Sequence, residues 1–331
     1  MKLATIEIRT PAGPLRRLAA WQNNLLVDLQ PAYALYLLET KQANDPYPLA
    51  AATVPDDMTA FFRNGRAGTS AVEATLAFLN GREPGLLGPR GERLRHSAQD
   101  VRLLPPVPRP SSIRDFLTFE GHLRGTARVL GHTHEIPRLW YEIPAYYRAS
   151  VDNVIGPDEP VPWPAYTEKL DFELEFGVFI GRKGKDIPRE EAAEHIAGYT
   201  IFNDWTARDV QGGIMSLRMG PGKAKDFDAG NSMGPFLVTP DEIDADDLAM
   251  VARVNGEIWG QGNSGDMHFK FADLIADVSR SETLRPGDFL ASGTVPGGCG
   301  LELNRWIQPG DVVELEVEGI GILRNPVVRP V

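Results

Sequence analysis

The sequence predicts a mostly β protein of the α+β class, with a small α+β domain over residues 1–103 and a strand-rich domain over residues 104–331. Three observations carry this. The composition breaks at Leu104-Pro105-Pro106-Val107-Pro108-Arg109-Pro110-Ser111-Ser112, where four prolines exclude a central strand and a helix interior and leave a stiff connector. Beyond it, turn signals recur at Gly156-Pro157, Gly181-Arg182-Lys183-Gly184, Asn255-Gly256 and Pro286-Gly287-Asp288, the punctuation of a chain made of strands. The third observation is the stretch Lys169–Ile180, which reads as one strand because apolar residues at 170, 172, 174, 176, 178 and 180 alternate with Asp171, Glu173 and Glu175.

The elements follow in order. Residues 3–9 alternate apolar and polar, and Asn23-Asn24 reads as a turn entering a strand at 25–29. Ala32–Glu39 and Met58–Arg63 are helical in character, and Thr69–Leu79 reads as a helix with Gly81 in the capping position, so Asn80-Gly81 is not a hairpin signal. In the second domain one helix stands out, Pro188–Ala197, with proline in its first turn and acids near its positive end.

With 42% hydrophobic and 24% charged residues over 331 positions, the chain has the makeup of a globular protein with a substantial core. A net charge of −11 disfavours nucleic acid and anionic membrane as partners. The opening Met1–Arg9 carries charges where a signal core would be apolar, no run is long enough to cross a bilayer, and a cytoplasmic location is expected. The single cysteine, Cys299, excludes an internal disulfide and a cysteine-based zinc cage.

Chemistry concentrates in five places. On the acidic strand, Glu173 and Glu175 point the same way with Cα atoms roughly 6.5 to 7 Å apart. Like charges at that spacing repel, and a buried carboxylate must be protonated, paired or bound to metal, so a cation is the simplest relief; the other reading is the wet face of an antiparallel sheet. Asp115 is followed seven residues later by His122, and Asn203-Asp204-Trp205-Thr206-Ala207-Arg208-Asp209-Val210-Gln211 sets an acid, an amide and an arginine beside a large aromatic. Gly220-Pro221-Gly222-Lys223-Ala224-Lys225-Asp226-Phe227 is a glycine-punctuated loop with two lysines, and Ser292-Gly293-Thr294 leads through glycines to Gly300-Leu301-Glu302-Leu303. Singly, each has an ordinary reading: Asp204 as a cap, Lys225 as a surface lysine, the glycine loop as a turn.

In this order and spacing the five motifs resemble the fumarylacetoacetate hydrolase family over about residues 104 to 331. The resemblance implies a catalytic domain in which mixed β-sheets roll around a divalent metal, held by Asp115, Glu173, Glu175 and Asp204. Four carboxylates and no soft donor suit a hard cation, Mg²⁺ first, with Mn²⁺ or Ca²⁺ as alternatives. It implies His122 as general base with Glu302 fixing its tautomer, Lys225 close to the metal, and Tyr147, Arg208, Gln211 and Thr294 as substrate contacts. It also implies a homodimer acting on a small dicarbonyl acid. Leu117 and Met215 depart from the pattern by standing where the family's eponymous hydrolase has substrate-facing tyrosines, which implies a different substrate. The expected reaction is hydrolysis of a C–C bond in an acylpyruvate-like or other 1,3-dicarbonyl acid, with decarboxylation of an oxaloacetate-like acid or isomerisation of a hydroxydienoate as the alternative. The segment 119–135 is expected to close over the site as a lid; His132 and His134 are read as part of its loop rather than as zinc ligands.

Overall fold

A computed structural model describes residues 1–131 and 135–329, so the pair His132 and His134 lies outside the described residues. The alternation at the N-terminus becomes a strand, Lys2–Thr10, paired antiparallel with Gly13–Gln22. Asn23 and Asn24 form a two-residue turn into Leu25–Asp28, both with positive φ (52° and 62°), a conformation that asparagine tolerates and that matches the strand twist. Helices Leu29–Glu39 and Met58–Leu79 pack behind this hairpin. The second is longer than the sequence predicts: it continues through Gly65, whose φ of 50° kinks it without ending it.

The N-terminal strands do not form a separate sheet. Leu3 pairs with Leu237, and this joins Lys2–Thr10 to Asn231–Val238. From there one sheet continues through Ile196–Asp204, Leu174–Ile180, Asp288–Ala291 and Ser112–Phe116 to Tyr146–Ala149. A second sheet of five strands contains Ala249–Val254, Glu257–Asn263, Val312–Val317 and Gly321–Val328. The proline-rich stretch forms the irregular connection between Arg102–Leu104 and Ser112–Phe116. The result is a strand-rich α+β fold. No helix among the described residues is long and apolar enough to cross a membrane.

Leu174–Ile180 is buried on both faces for a clear reason. Phe176, Val178 and Ile180 enter a core shared with Trp205, Phe271 and Leu315, while Phe179 enters another with Phe62, Phe202 and Phe289 beneath the N-terminal helices. By the two-residue period Glu175 lies on the Phe179 face. The wet-face reading of the acidic strand therefore fails: Glu173 and Glu175 are 4% and 1% exposed.

Two more elements differ from their sequence expectation. Lys169–Ile180 is not one strand: Leu170–Asp171 and Leu174–Ile180 are separate, because side chains take over the intervening backbone. The Phe172 amide donates to Asp171 Oδ1 (2.9 Å) and the Glu173 amide to Asn203 Oδ1 (2.9 Å). The expected helix over 188–197 is a 3-10 helix, Arg189–His195. It stops there because Ile196 already pairs with Ile180 in the sheet, while His195 Nδ1 sits 2.9 Å from the Arg182 carbonyl.

Candidate active site

The site lies where the ends of several sheet strands meet the glycine loop. Asp115 is at the end of Ser112–Phe116, Glu175 at the start of Leu174–Ile180, and Asp204 at the end of Ile196–Asp204. Each strand is held by its neighbours, so the carboxylates are fixed by the sheet. Asp115, Glu175 and Asp204 are buried and bring carboxylate oxygens within 4.8 Å of one another.

Glu173 stands beside this trio in a different environment. Its Oε1 accepts from Arg208 Nη2 (2.8 Å) and its Oε2 from Lys225 Nζ (2.5 Å), and Lys225 also donates to Asp204. Burial alone would raise its pKa, but Lys225 and Arg208 outweigh burial and hold Glu173 well below the usual carboxylate range. Lys225 is correspondingly held above the usual lysine value; burial opposes the charge, and Asp204 and Glu173 overcome it.

In the trio the compensation falls short. Burial pushes Asp115 and Glu175 well above the carboxylate range, and like charges push further: Glu175 and Asp204 on Asp115, Glu173 and Asp204 on Glu175. Burial also raises Asp204, against the pull of Lys225. Asp115 Oδ1 and Asp204 Oδ1 are buried without a hydrogen-bond partner among the described residues. Orphaned anionic oxygens are rare in folded proteins, and three carboxylates converging with no sulfur or imidazole donor fit a hard divalent cation.

Tyr147 donates to Asp204 Oδ2 (2.6 Å). Thr294 Oγ1 donates to Glu175 Oε1 (3.3 Å) and the Gly293 amide to Glu175 Oε2 (3.1 Å). Tyr147 and Thr294, two of the four predicted substrate contacts, thus touch the acid cluster. Arg208 is placed differently from a free carboxylate clamp: its Nε meets Asp171 Oδ2 (2.8 Å), its Nη2 meets Glu173 and its Nη1 donates to Gln211 Oε1 (3.0 Å). Among the positions departing from the family pattern, Leu117 is half-buried and Met215 is exposed.

The second half of the site is a histidine–carboxylate pair. His122 lies in the first turn of a helix, Glu120–Val129, inside the segment read as a lid, and its Nδ1 is 2.6 Å from Glu302 Oε1. Because the carboxylate accepts, Nδ1 carries the proton; Nε2 makes no hydrogen bond among the described residues. Glu302 sits on the short helix Gly300–Leu303, and its Oε2 accepts from the Gly297 amide (3.0 Å). Gly125 makes room for it: a Cβ at 125 would lie 2.1 Å from Glu302 Oε2. Cys299 is buried nearby, with Sγ 3.7 Å from Glu302 Oε1. Sequence reasoning missed Asp171 as a separate actor and Gly125 altogether. The available signal for Gly125 was a glycine three residues after His122 in a segment whose Glu120 and Arg124 form a helical ion pair.

The profile of the family described as fumarylacetoacetate (FAA) hydrolase C-terminal matches residues 112–328. The chain belongs to this family. Uncharacterised proteins of Staphylococcus aureus strains are 33% identical over 242 residues, 72% of this chain and 76% of theirs. A 5-carboxymethyl-2-hydroxymuconate delta-isomerase from Mycobacterium smegmatis is similar in structure with a TM-score of 0.65 and 25% identity, over 100% of both chains. A fumarylacetoacetate hydrolase from psychrophilic Exiguobacterium antarcticum gives 0.69 and 24%, over 99% of this chain and 100% of its own. A maleylpyruvate hydrolase from Sphingobium sp. SYK-6, solved with manganese(II) and pyruvate, gives 0.70 and 22%, over 100% of both. The last two show the shared fold.

Proposed function

We propose that the protein is a metal-dependent hydrolase that cleaves a C–C bond of acylpyruvate-like or other 1,3-dicarbonyl acids. The observation that carries this reading is the His122–Glu302 pair, a base with its orienting acid, in the same protein region as an oxygen-only carboxylate cluster. Asp115, Glu175 and Asp204, with Glu173 beside them, would hold one divalent ion, Mg²⁺ in the first place. Such an ion supplies polarisation of substrate oxygens.

The chain's own residues do the rest. With Nδ1 committed to Glu302, His122 takes a proton from water at Nε2, and the carboxylate stabilises the imidazolium that forms. The water oxygen bonds to the acyl carbon, the adjacent C–C bond breaks, and its electron pair leaves on the enolate fragment, which is then protonated. Lys225 and the Tyr147 hydroxyl, both bonded to Asp204, keep the acid cluster oriented. Arg208 supports Glu173, and of its five N–H donors three are engaged by Asp171, Gln211 and Glu173, which leaves two for a substrate carboxylate.

A second reading is isomerisation of a hydroxydienoate, which the 25% identical isomerase supports, or decarboxylation of an oxaloacetate-like acid. Products decide between them in a panel of acylpyruvates, oxaloacetate and dienoates assayed with Mg²⁺ or Mn²⁺. Hydrolysis in ¹⁸O water labels a carboxylate product, decarboxylation releases carbon dioxide, and isomerisation conserves mass. The proposal extends to a homodimer, supported by the exposed apolar run Met215, Leu217 and Met219 (49%, 70% and 86% exposed), with mass in solution as its test.

A further inference from the structure

Asp171 touches neither the three-carboxylate cluster nor His122, yet it is fully buried and three of its four side-chain bonds go to parts that carry the site. Its Oδ1 accepts from the Gly300 amide (2.8 Å) and the Phe172 amide (2.9 Å), and its Oδ2 from the Leu301 amide (3.0 Å) and Arg208 Nε (2.8 Å). Gly300 and Leu301 immediately precede Glu302. The approach is close enough to demand glycine: a Cβ at 300 would lie 2.6 Å from Asp171 Oδ1 and 2.3 Å from the Arg305 carbonyl. Arg208 carries the connection onward to Glu173, and Glu173 to Lys225 and Asp204.

We propose that Asp171 is a positioning residue that sets the Glu302–His122 pair by holding the backbone before Glu302, and that through Arg208 it locks that pair to the acid cluster. The inference deepens the functional reading above and rests on it for the word catalysis, though not for the geometry. An acid that orients a base works only within a few tenths of an ångström, and outer supports of this kind commonly fix such a distance. Glu302 has few other anchors: its side chain meets His122, the Gly297 amide and the thiol of Cys299. Asp171 supplies the anchor on the main chain.

The test is Asp171→Asn. Asparagine keeps one oxygen for the Gly300 amide but turns an NH₂ toward the Leu301 amide and Arg208, so donors face donors. On a substrate from the panel, kcat is expected to fall by about tenfold to a hundredfold while KM and Mn²⁺ affinity stay within about twofold. In a Glu302→Gln background the same substitution adds little further loss. Independently of any substrate, the downfield Nδ1 proton resonance of His122, identified by its absence in His122→Gln, is expected to move in Asp171→Asn toward the position it takes in Glu302→Gln. An unmoved resonance in folded Asp171→Asn, or a full additional loss in the Glu302→Gln background, overturns the proposal. If Asp171→Asn does not fold, Arg208→Lys removes the Nε donor while leaving the backbone bonds: a shifted His122 resonance supports the linkage and an unshifted one refutes it. Because the resonance needs no substrate, a mistaken reaction assignment leaves this result readable.

Discussion

Gly125→Ala isolates the distance between base and acid with a single methyl group. The backbone at 125 is helical and accepts alanine without backbone strain, and alanine's helix propensity favours it by up to about 1 kcal/mol. The methyl, however, would sit 2.1 Å from Glu302 Oε2, 2.9 Å from its carboxyl carbon and 3.1 Å from Cγ. Relief requires the carboxylate to retreat by about 1 Å, which carries it out of ordinary hydrogen-bond range of His122 Nδ1. A hydrogen bond to a charged group is worth about 1.5–3 kcal/mol, so kcat should fall by roughly tenfold to a hundredfold while KM changes little. The assay is steady-state kinetics on an active panel substrate beside a thermal melt, with Glu302→Gln as reference. Full wild-type kcat in folded Gly125→Ala would show that the 2.6 Å contact does not matter to turnover.

Two further predictions concern separate parts of the chain. His122→Ala and Glu302→Gln should each remove most turnover, by about a hundredfold or more, while Mn²⁺ binding measured by electron paramagnetic resonance stays at the wild-type level; wild-type turnover in His122→Ala refutes its assignment as base. Asp28 should make stability fall as pH rises. Burial raises it to about 7, against the pull of Arg17. Its unfolded value lies near 3.9, so from about pH 4 to about pH 7 the folded state keeps a proton that the unfolded state has released, and stability drops across that window and levels above it. Asp28→Asn should remove the slope and gain on the order of a few kcal/mol relative to wild type by pH 8, read by urea unfolding at several pH values. A difference between the two proteins that does not vary with pH contradicts this.

The residue patterns disclosed the parts of the site better than their connections. Asp115, Glu175 and Asp204 could be nominated because acids at strand ends, in an order shared with a family, are chemically conspicuous, and the structure gathers them. Period-two alternation put Asp171, Glu173 and Glu175 on one face, and geometry divides them among three environments. The division comes from side-chain bonds of Asp171 and Asn203 to the backbone at 172 and 173, which no hydrophobic pattern records. Arg208 looked like a free clamp because its partners, 35 and 37 residues away in sequence, are invisible until the chain folds. Gly125 was silent for the same reason: its importance lies in a carboxylate more than 170 residues further on. The N-terminal residues showed no chemistry, and their part in the fold is to extend the sheet and bury the Phe179 face of the acid-bearing strand.

The central claim is that Asp115, Glu175 and Asp204, with Glu173 beside them, grip one divalent ion. Titrating metal-free protein with Mn²⁺ and counting bound ions by electron paramagnetic resonance tests it most directly. The account predicts one ion per chain in wild type, Mg²⁺ competing for it, and loss of that ion in Asp115→Asn, Glu175→Gln and Asp204→Asn. Stoichiometric binding that survives in all three folded variants, or no binding by the wild type, would contradict it.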